Sequence, residues 1–591
     1  MNRNRQKTWF GIIIGAAVLI VAAVFCVRTV GSFLPESDTF SKPSNAIEIS
    51  VIYAPEEELY IKDAIFQFNK AGAYGRNAVT GKDLARGERS IWVVGKSGSS
   101  GTVAEGIRNA LIAPNNTNVE KPTIFSPSVR HWLALVNYQT GQRVFDVDAA
   151  PATANAPVVM AIWESRLKAL QAKHGNDIGW RELTVLFNSP NGWRDYGLTG
   201  RSAIYYGHTD PAVSSTALST LMAEFYASAR YNAGVNDGSK LTIDQVNNAK
   251  VQDGVRQIER LIKHYSARTT EFKEYIAQGP DYLDFVALEE NDLIFINMGK
   301  TQAKPPEKLV ALYPKEGTFS HDHPFAVPNA PWVTEEQRQA AKVFTDYVLS
   351  KPIQEKVLGA GFRPVNKEVP IAGPISAENG VDPNQPRTFL PVPDPQTISA
   401  VQQSWQLVKK QADIIILIDT SGSMNDENKI GQAKEAIRVF LEDQTSKNNV
   451  GLIEFNTTVR TLTPLGSLES NRAQIINQVN GLRANGNTAL FDAMLAAVKE
   501  VDTRSDSTRI QAILLLSDGQ DTASKTRIND VVREINLARN GRTPVLVIPI
   551  AYGKDADVNS LSAMARASDT KVQSGDPQGI RKLLEIIGSY F

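Results

Sequence analysis

Ile414-Ile415-Ile416-Leu417-Ile418-Asp419-Thr420-Ser421-Gly422-Ser423 decides how the C-terminal third of this chain is read. Five apolar residues in unbroken succession suit a strand buried on both faces of a parallel sheet. The run stops abruptly at a carboxylate and a set of hydroxyls. Beyond it, Ile430, Ala433, Ile437 and Phe440 recur at helical spacing. A polar cluster between a buried strand and a helix lies at the carboxyl end of the strand, where open α/β sheets bind their ligands.

The residues downstream repeat the pattern. Val450–Phe455 reads as a second strand, Ala512–Leu516 as a third ending in Ser517-Asp518-Gly519, and Val545–Ile550 as a fourth. Asn485-Gly486-Asn487-Thr488 opens another helix. In such a sheet Asp419, Ser421, Ser423, Thr488 and Asp518 converge on one edge. Two carboxylates and three hydroxyls form a hard oxygen set, suited to Mg²⁺, Mn²⁺ or Ca²⁺ and unsuited to soft metals. Five side chains, some acting through water, leave a coordination position for an outside carboxylate. Gly422, Gly486 and Gly519 let the backbone bend close to an ion. Asp, Ser and Gly are also ordinary turn residues, so one Asp-x-Ser-x-Ser stretch says little; three segments at matching strand ends say more.

Asp-x-Ser-Gly-Ser after a buried strand, a Thr opening a later helix and a strand ending in Ser-Asp-Gly resemble the von Willebrand factor A domain, over residues 411–591. The resemblance implies a doubly wound, Rossmann-like α/β fold with a metal-ion-dependent adhesion site. Asp419, Ser421, Ser423, Thr488 and Asp518 match that site position by position, and Met424, Leu490 and Asp492 fit its surroundings. It also implies Mg²⁺ as cofactor and a protein partner that presents an acidic side chain to it. The expected activity is binding, not catalysis.

At 591 residues the chain needs several hydrophobic cores. Lys and Arg total 63, as do Asp and Glu, so the balance offers nucleic acid no basic face. Cys26 is the single cysteine, which excludes an intrachain disulfide and a Cys-based zinc site. No Gly-x-Ser-x-Gly elbow occurs and the six histidines form no triad pattern, so nucleophilic catalysis has no support.

Arg3, Arg5 and Lys7 precede an apolar run from Trp9 to Val27. That length spans the hydrocarbon core as one helix, and the basic flank keeps residues 1–8 in the cytoplasm. The run ends in Val24-Phe25-Cys26-Val27, with neither the small residues of a signal cleavage site nor a lipidation signal. Residues 9–27 are therefore expected to be a single-pass anchor in the cell membrane, with the bulk of the chain extracytoplasmic and residues 28–44 a tether.

Residues 45–366 read as a larger α/β unit. Ile47–Tyr53 and Ile91–Val94 are strand-like; Leu59–Asn69, Val103–Leu111, Val158–Leu170 and Ala217–Tyr231 are helix-like. Helix starts rich in Ser and Thr expose N–H groups at a positive dipole end, a seat for an oxyanion, although the same residues cap helices routinely. The candidate ligand residues are Ser97, Ser99, Ser100, Thr102, Ser126, Ser214 and Ser215. Gly95-Lys96-Ser97 lacks the spacing of a Walker A loop. Ala156–Met160, Ser214–Tyr226, Tyr313–Gly317 and Gly361–Pro364 together are similar to the two-lobed, type II bacterial extracellular solute-binding proteins. That resemblance implies an interlobe cleft for a small solute or oxyanion, with Val158–Met160 near the crossover, and a possible place as the substrate-binding component of a membrane transporter. His321-Asp322-His323, on a proline-containing loop, is expected to be solvated. Seven prolines between Pro370 and Pro395 mark residues 367–410 as a linker or strap ending in a short helix from about Ser399 to Lys410.

Overall fold

The computed structural model describes residues 40–113, 115–116, 118–199, 204–207, 209–236, 238–266, 269–503, 506, 508–539, 544–588 and 590–591. The expected anchor at 9–27, its flank at 1–8 and most of the tether lie outside these residues. Among the described residues no helix is long and apolar enough to cross a membrane.

The first lobe is built on three parallel strands, with β1 (Ile47–Tyr53) between β2 (Ile91–Ser97) and β3 (Ile124–Ser126). Helix α1 (Glu58–Ala73) buries Ile61, Ala64, Ile65 and Phe68 at helical spacing. Helices α2 (Ser100–Ile112) and α3 (His131–Thr140) follow. The second lobe centres on β4 (Ala156–Trp163), in a sheet ordered β5 (Tyr206–Gly207), β6 (Phe285–Glu289), β4, β7 (Leu309–Leu312). All eight residues of β4 are buried.

This corrects the helix expected over Val158–Leu170. The apolar run is a strand, and α4 (Glu164–His174) starts only where the polar residues do. A fully buried strand has no polar face to reveal its period. The β-branched Val158, Val159 and Ile162 favour the pleated form.

Helices α5 (Ser215–Ala233), α6 (Ala249–Glu259) and α7 (Thr269–Ile276) belong to the second lobe. The chain then pairs β8 (Ser320–His321) with β4 and returns to the first lobe. There α8 (Glu335–Val348) packs Phe344 among Ile49, Tyr60 and Phe68. Isolated bridges Ala152–Pro324 and Asn155–Arg363 mark the crossover, just before β4.

His321 and His323, expected in solvent, are fully buried at this crossover. His321 Nδ1 lies 2.7 Å from Glu289 Oε1 and its Nε2 2.9 Å from Ser219 Oγ. His323 stands between Glu57 Oε1 at 3.3 Å and Glu289 Oε2 at 3.2 Å. Burial alone would raise the Glu289 carboxyl, but the two histidines hold it down at about 2. The loop is buried because carboxylates from both lobes await it, which spacing along the chain does not reveal.

The proline-rich stretch is a strap. Ile375 and Val381 sink among Leu288, Leu293 and Leu309 of the second lobe. Gly380 accepts a hydrogen bond from Ala311 N, and Leu390 N donates to Thr318 O. Helix α9 (Pro395–Val408) then packs on α3, α5 and α6.

The C-terminal sheet is ordered β11 (Val459–Ser467), β10 (Asn449–Phe455), β9 (Gln411–Asp419), β12 (Arg509–Ser517), β13 (Val545–Tyr552), β14 (Gln573–Gly575). Only the β10–β11 pairing is antiparallel. Side chains of β9 alternate between two cores. Ile414, Ile416 and Ile418 meet Ala433, Ile437 and Phe440 of α10 (Lys429–Asp443), and Ile475 and Val479 of α11 (Leu468–Gly481). Ile415 and Leu417 meet Met494, Ala497 and Val501 of α12 (Leu490–Asp502), with Val531 and Ile535 of α13 (Ile528–Arg539) and Leu561 of α14 (Val558–Ala567). The last helix, α15 (Ile580–Gly588), adds Leu584 and Ile587 to the first of these cores. Helices thus cover both faces of a mainly parallel sheet, the doubly wound arrangement.

Candidate functional site

Strands β9 and β12 are neighbours in parallel register, with Ile418 opposite Leu516. Their next residues therefore leave the sheet side by side at its carboxyl edge. Ser517 Oγ donates to Asp419 Oδ2 at 2.8 Å, and Ser421 N donates to Asp419 Oδ1 at 2.8 Å. Ser423 Oγ donates to Asp518 Oδ1 at 2.8 Å and lies 3.1 Å from Ser421 Oγ. The loop before α12 is docked on the same edge. Gly422 N donates to Gly486 O, Asn485 N to Thr420 O and Ala489 N to Asn456 O. Gly486 has φ +74, which a side chain would resist. Thr488 is fixed from a third segment: its N–H donates to Thr522 Oγ1, and its carbonyl accepts from Thr522 N and Ala523 N.

The five sequence-derived residues are therefore brought to one place. Gly519 decides whether a cation suits them. A Cβ at that position would stand 3.8 Å from both Ser423 Oγ and Thr488 Oγ1. Glycine leaves open a cradle between hydroxyls that come from different elements, and hard oxygen donors around such a space suit a divalent ion. The donor set fits Mg²⁺.

Two further features of the edge bear on its electrostatics. Burial pushes the Asp419 carboxyl up to about 6, against the hydrogen bonds from Ser421 and Ser517. Lys429, which no sequence motif flagged, places Nζ 2.8 Å from Asp518 Oδ2 and is 3% exposed. A lysine at the start of a helix reads as surface charge in sequence; only the tertiary fold turns it inward.

A second, small polar concavity lies between the lobes of the N-terminal unit. Ser99 and Ser100 bring the start of α2 to it, Ser214 to Thr216 the start of α5, and Thr269 and Thr270 the start of α7. Ser128, Glu56, Pro55 and Val213 complete the lining. Of the seven candidates, Ser99, Ser100, Ser214 and Ser215 are at this pocket, and three are elsewhere. Ser97 ends β2, Thr102 is exposed on α2, and Ser126 is turned away to donate to Glu57 Oε1 at 2.8 Å. Ser128, two residues on in the same Ser-Pro-Ser stretch, takes the place expected of Ser126. Thr269 lay beyond sequence reasoning because its helix carries no glycine-rich lead-in.

Among the described residues the lining carries no Lys, Arg or His, and the starts of three helices turn their N–H groups' end toward it. Burial, with help from Glu289 and Asp292, raises the Glu56 carboxyl to about 8. The shift favours its uncharged form, which repels an anion less than a carboxylate does.

Comparison with known proteins matches both regions. The family model described as von Willebrand factor type A domain matches residues 413–583, and the one described as bacterial extracellular solute-binding protein matches residues 102–381. Inter-alpha-trypsin inhibitor heavy chain H4 of Homo sapiens is 30% identical over 162 residues, covering 26% of this chain and 17% of that protein. The chain thus spans under a fifth of that relative's length. Among solved structures, a von Willebrand factor type A protein from Catenulispora acidiphila is 24% identical over 31% of this chain and 43% of its own, with a TM-score of 0.28. The sulfate-binding protein SubI from Mycobacterium tuberculosis H37Rv is 20% identical over 55% of this chain and 88% of its own, with a TM-score of 0.36.

Proposed function

Because the chain carries a bacterial extracellular solute-binding unit and a von Willebrand factor type A domain, we propose that it is an extracytoplasmic binding protein whose C-terminal domain captures an acidic side chain of a protein partner at a Mg²⁺ site. Residues 9–27 anchor it in the membrane with residues 1–8 in the cytoplasm. The solute-binding match supports the extracytoplasmic location.

The observation that carries the reading is the convergence of Asp419, Ser421 and Ser423 after β9, Asp518 after β12 and Thr488 before α12 around the space that Gly519 leaves free. The backbone N–H of Ser421 and the hydroxyl of Ser517 hold the Asp419 carboxylate in one orientation. Asp419, Asp518 and the three hydroxyls would hold Mg²⁺, and Mn²⁺ or Ca²⁺ could use the same donors. The bound cation would offer an exchangeable position of positive charge to a carboxylate. The site's groups bind and orient, and the reading includes no catalytic step.

The test is melting of the full chain in detergent, with Mg²⁺ and with EDTA. Mg²⁺ is expected to raise the melting temperature of the wild type and to leave Asp419→Ala unmoved. A wild type indifferent to Mg²⁺ would sink the reading.

A second activity is favoured by the interlobe pocket, where three helix starts and buried hydroxyls face one small space. A tetrahedral oxyanion fits that chemistry. Such binding also suits a substrate-binding component of a membrane transporter. Calorimetry of the full chain with sulfate, phosphate and molybdate is expected to detect one that binds, and Ser215→Asp is expected to abolish it. No heat with any of the three would remove the oxyanion.

A further inference from the structure

Lys429 is placed where a lysine should not be comfortable. It opens α10, and the positive end of a helix dipole disfavours a cation there. It is nearly devoid of solvent, at 3% exposure. The surroundings are nonetheless shaped to keep it. Asn428, immediately before it, takes the left-handed conformation with φ 56, turning the chain so that the lysine begins the helix. Tyr552 Oη, from β13, donates to its carbonyl at 3.0 Å. Gly553 has φ +89, and a Cβ there would stand 3.0 Å from Lys429 Cε and 3.4 Å from Nζ. The glycine therefore leaves room for the lysine stem to reach the sheet edge. The reach ends at Asp518 Oδ2, 2.8 Å away, while Asp518 Oδ1 takes Ser423 Oγ. When local preference is violated and the neighbours accommodate the violation, the site is a candidate for function.

We propose that Lys429 sets the charge of the metal site, so that the loaded site is cationic and selects an anionic group on its partner. The proposal rests on reading Asp419 and its companions as a divalent-cation site. The count uses three side chains. Asp419 and Asp518 bring two negative charges and Lys429 brings one positive charge, which leaves one net negative charge among these three, with Asp426 and Asp555 acting on Lys429 from outside the trio. A divalent cation converts that to one net positive charge. A single carboxylate from outside then makes the whole neutral, the favoured state for a group of ions removed from water. Without the lysine the loaded site would already be neutral, and an entering carboxylate would leave an uncompensated buried charge. The same lysine opposes the metal, since it repels a second cation beside Asp518. Lys429 thus lowers metal affinity and raises carboxylate affinity. A merely structural ion pair has no reason to move the two in opposite directions.

Two titrations of the full chain in detergent test this. The first follows Mn²⁺ binding by electron paramagnetic resonance. The second adds glutarate to the Mn²⁺-loaded protein and follows water-proton relaxation, which falls as a carboxylate displaces water from the ion. Lys429→Met is expected to bind Mn²⁺ at least tenfold more tightly than wild type and to need at least tenfold more glutarate. Lys429→Arg keeps the charge and is expected to follow wild type in both. If Lys429→Met does not fold, Lys429→Gln carries the same titrations, because it retains a donor for Asp518. Unchanged Mn²⁺ affinity, or unchanged glutarate affinity, in the neutral variant would overturn the role given to the lysine. A wild type that binds no Mn²⁺ would instead overturn the metal reading beneath it.

Discussion

Gly519→Ala separates the metal site from the fold more sharply than loss of a carboxylate can. The added methyl would sit 3.8 Å from Ser423 Oγ and from Thr488 Oγ1, ordinary contact distances, and the glycine is not in the left-handed region. The metal-free protein should therefore tolerate it, with stability within about 1 kcal/mol of wild type. The same methyl projects into the space between two donors. Disturbing the groups around a bound ion typically costs about 10–100-fold in affinity. At saturating metal a 100-fold loss removes about 2.7 kcal/mol of ligand-linked stability. For a domain of roughly 180 residues that is about 5–10 °C of melting temperature. Scanning fluorimetry of wild type and variant, each in EDTA and in millimolar Mg²⁺, reads both quantities at once. The expected result is coincident melting in EDTA and a gap of several degrees in Mg²⁺. An equal Mg²⁺ shift in the two proteins would show that the cradle beside Gly519 is not where the ion sits.

Asp419 should make metal binding pH-dependent. With its carboxyl raised to about 6, protons compete with the ion below that value, so apparent Mg²⁺ affinity should fall about tenfold per pH unit below 6 and level off above it; a flat profile from pH 5 to 7 in calorimetry would contradict this. In EDTA the sign reverses: the folded state binds this proton more tightly than the unfolded chain, so its contribution to stability is complete below pH about 4 and is lost as pH rises through about 6. Trp405→Ala, at the seam where Trp405 meets the Tyr265 ring edge-on at 5.1 Å, should cost about 3–5 kcal/mol. Calorimetry should show the transitions of both regions falling, and a shift confined to one of two separate transitions would mean that the seam is not a shared core.

The C-terminal domain was legible because its evidence is local. Ile414–Ile418 is buried on both faces, and the residue after each buried strand is by topology at the sheet's carboxyl edge. Asp419 and Asp518 could be placed together without coordinates. Lys429 could not, because its inward turn depends on Asn428 adopting a left-handed conformation and on Gly553, just past the end of the sequence-distant strand β13, clearing a path. The N-terminal unit was less legible for the same reason. Its pocket is assembled from helix starts that are scattered in sequence, and a serine at a helix start has the same local signature whether it faces the pocket, as Ser100 does, or turns elsewhere, as Ser126 does. Val158–Trp163 was misread because total burial erases the polar face on which periodicity depends. His321 and His323 were misread because proximity to Pro324 signals a loop, and nothing local signals the buried Glu57 and Glu289.

The proline-rich segment invites a picture of two domains on a flexible string, and the contacts argue against it. The prolines lie upstream, in a strap fastened to the second lobe, and the connection that matters is α9. Gln402 on that helix donates to Pro211 O at 3.2 Å. Pro211 sits in the turn whose Val213 accepts a hydrogen bond from Gly101, so the turn joins the starts of α2 and α5 at the interlobe pocket. A Cβ on Gly101 would fall 2.0 Å from Ala212 O, so that join is tight. At the other end of α9 only Lys409 and Lys410 precede β9, and both are pinned. Lys409 Nζ donates to Phe591 O at 2.5 Å, Lys410 N to Tyr265 Oη at 2.9 Å and Lys410 Nζ to Ile262 O at 2.9 Å. Strand β9 then runs without interruption to Asp419. One buried core extends from Trp132 and Leu221 through Val401 and Trp405 to Ile416 and Phe591. Swinging the C-terminal domain against the pocket-bearing lobe would have to expose that core. The N-terminal unit therefore holds the sheet edge bearing Asp419 in a fixed orientation, and a partner captured at the proposed metal site would have to approach along a direction set by the whole molecule.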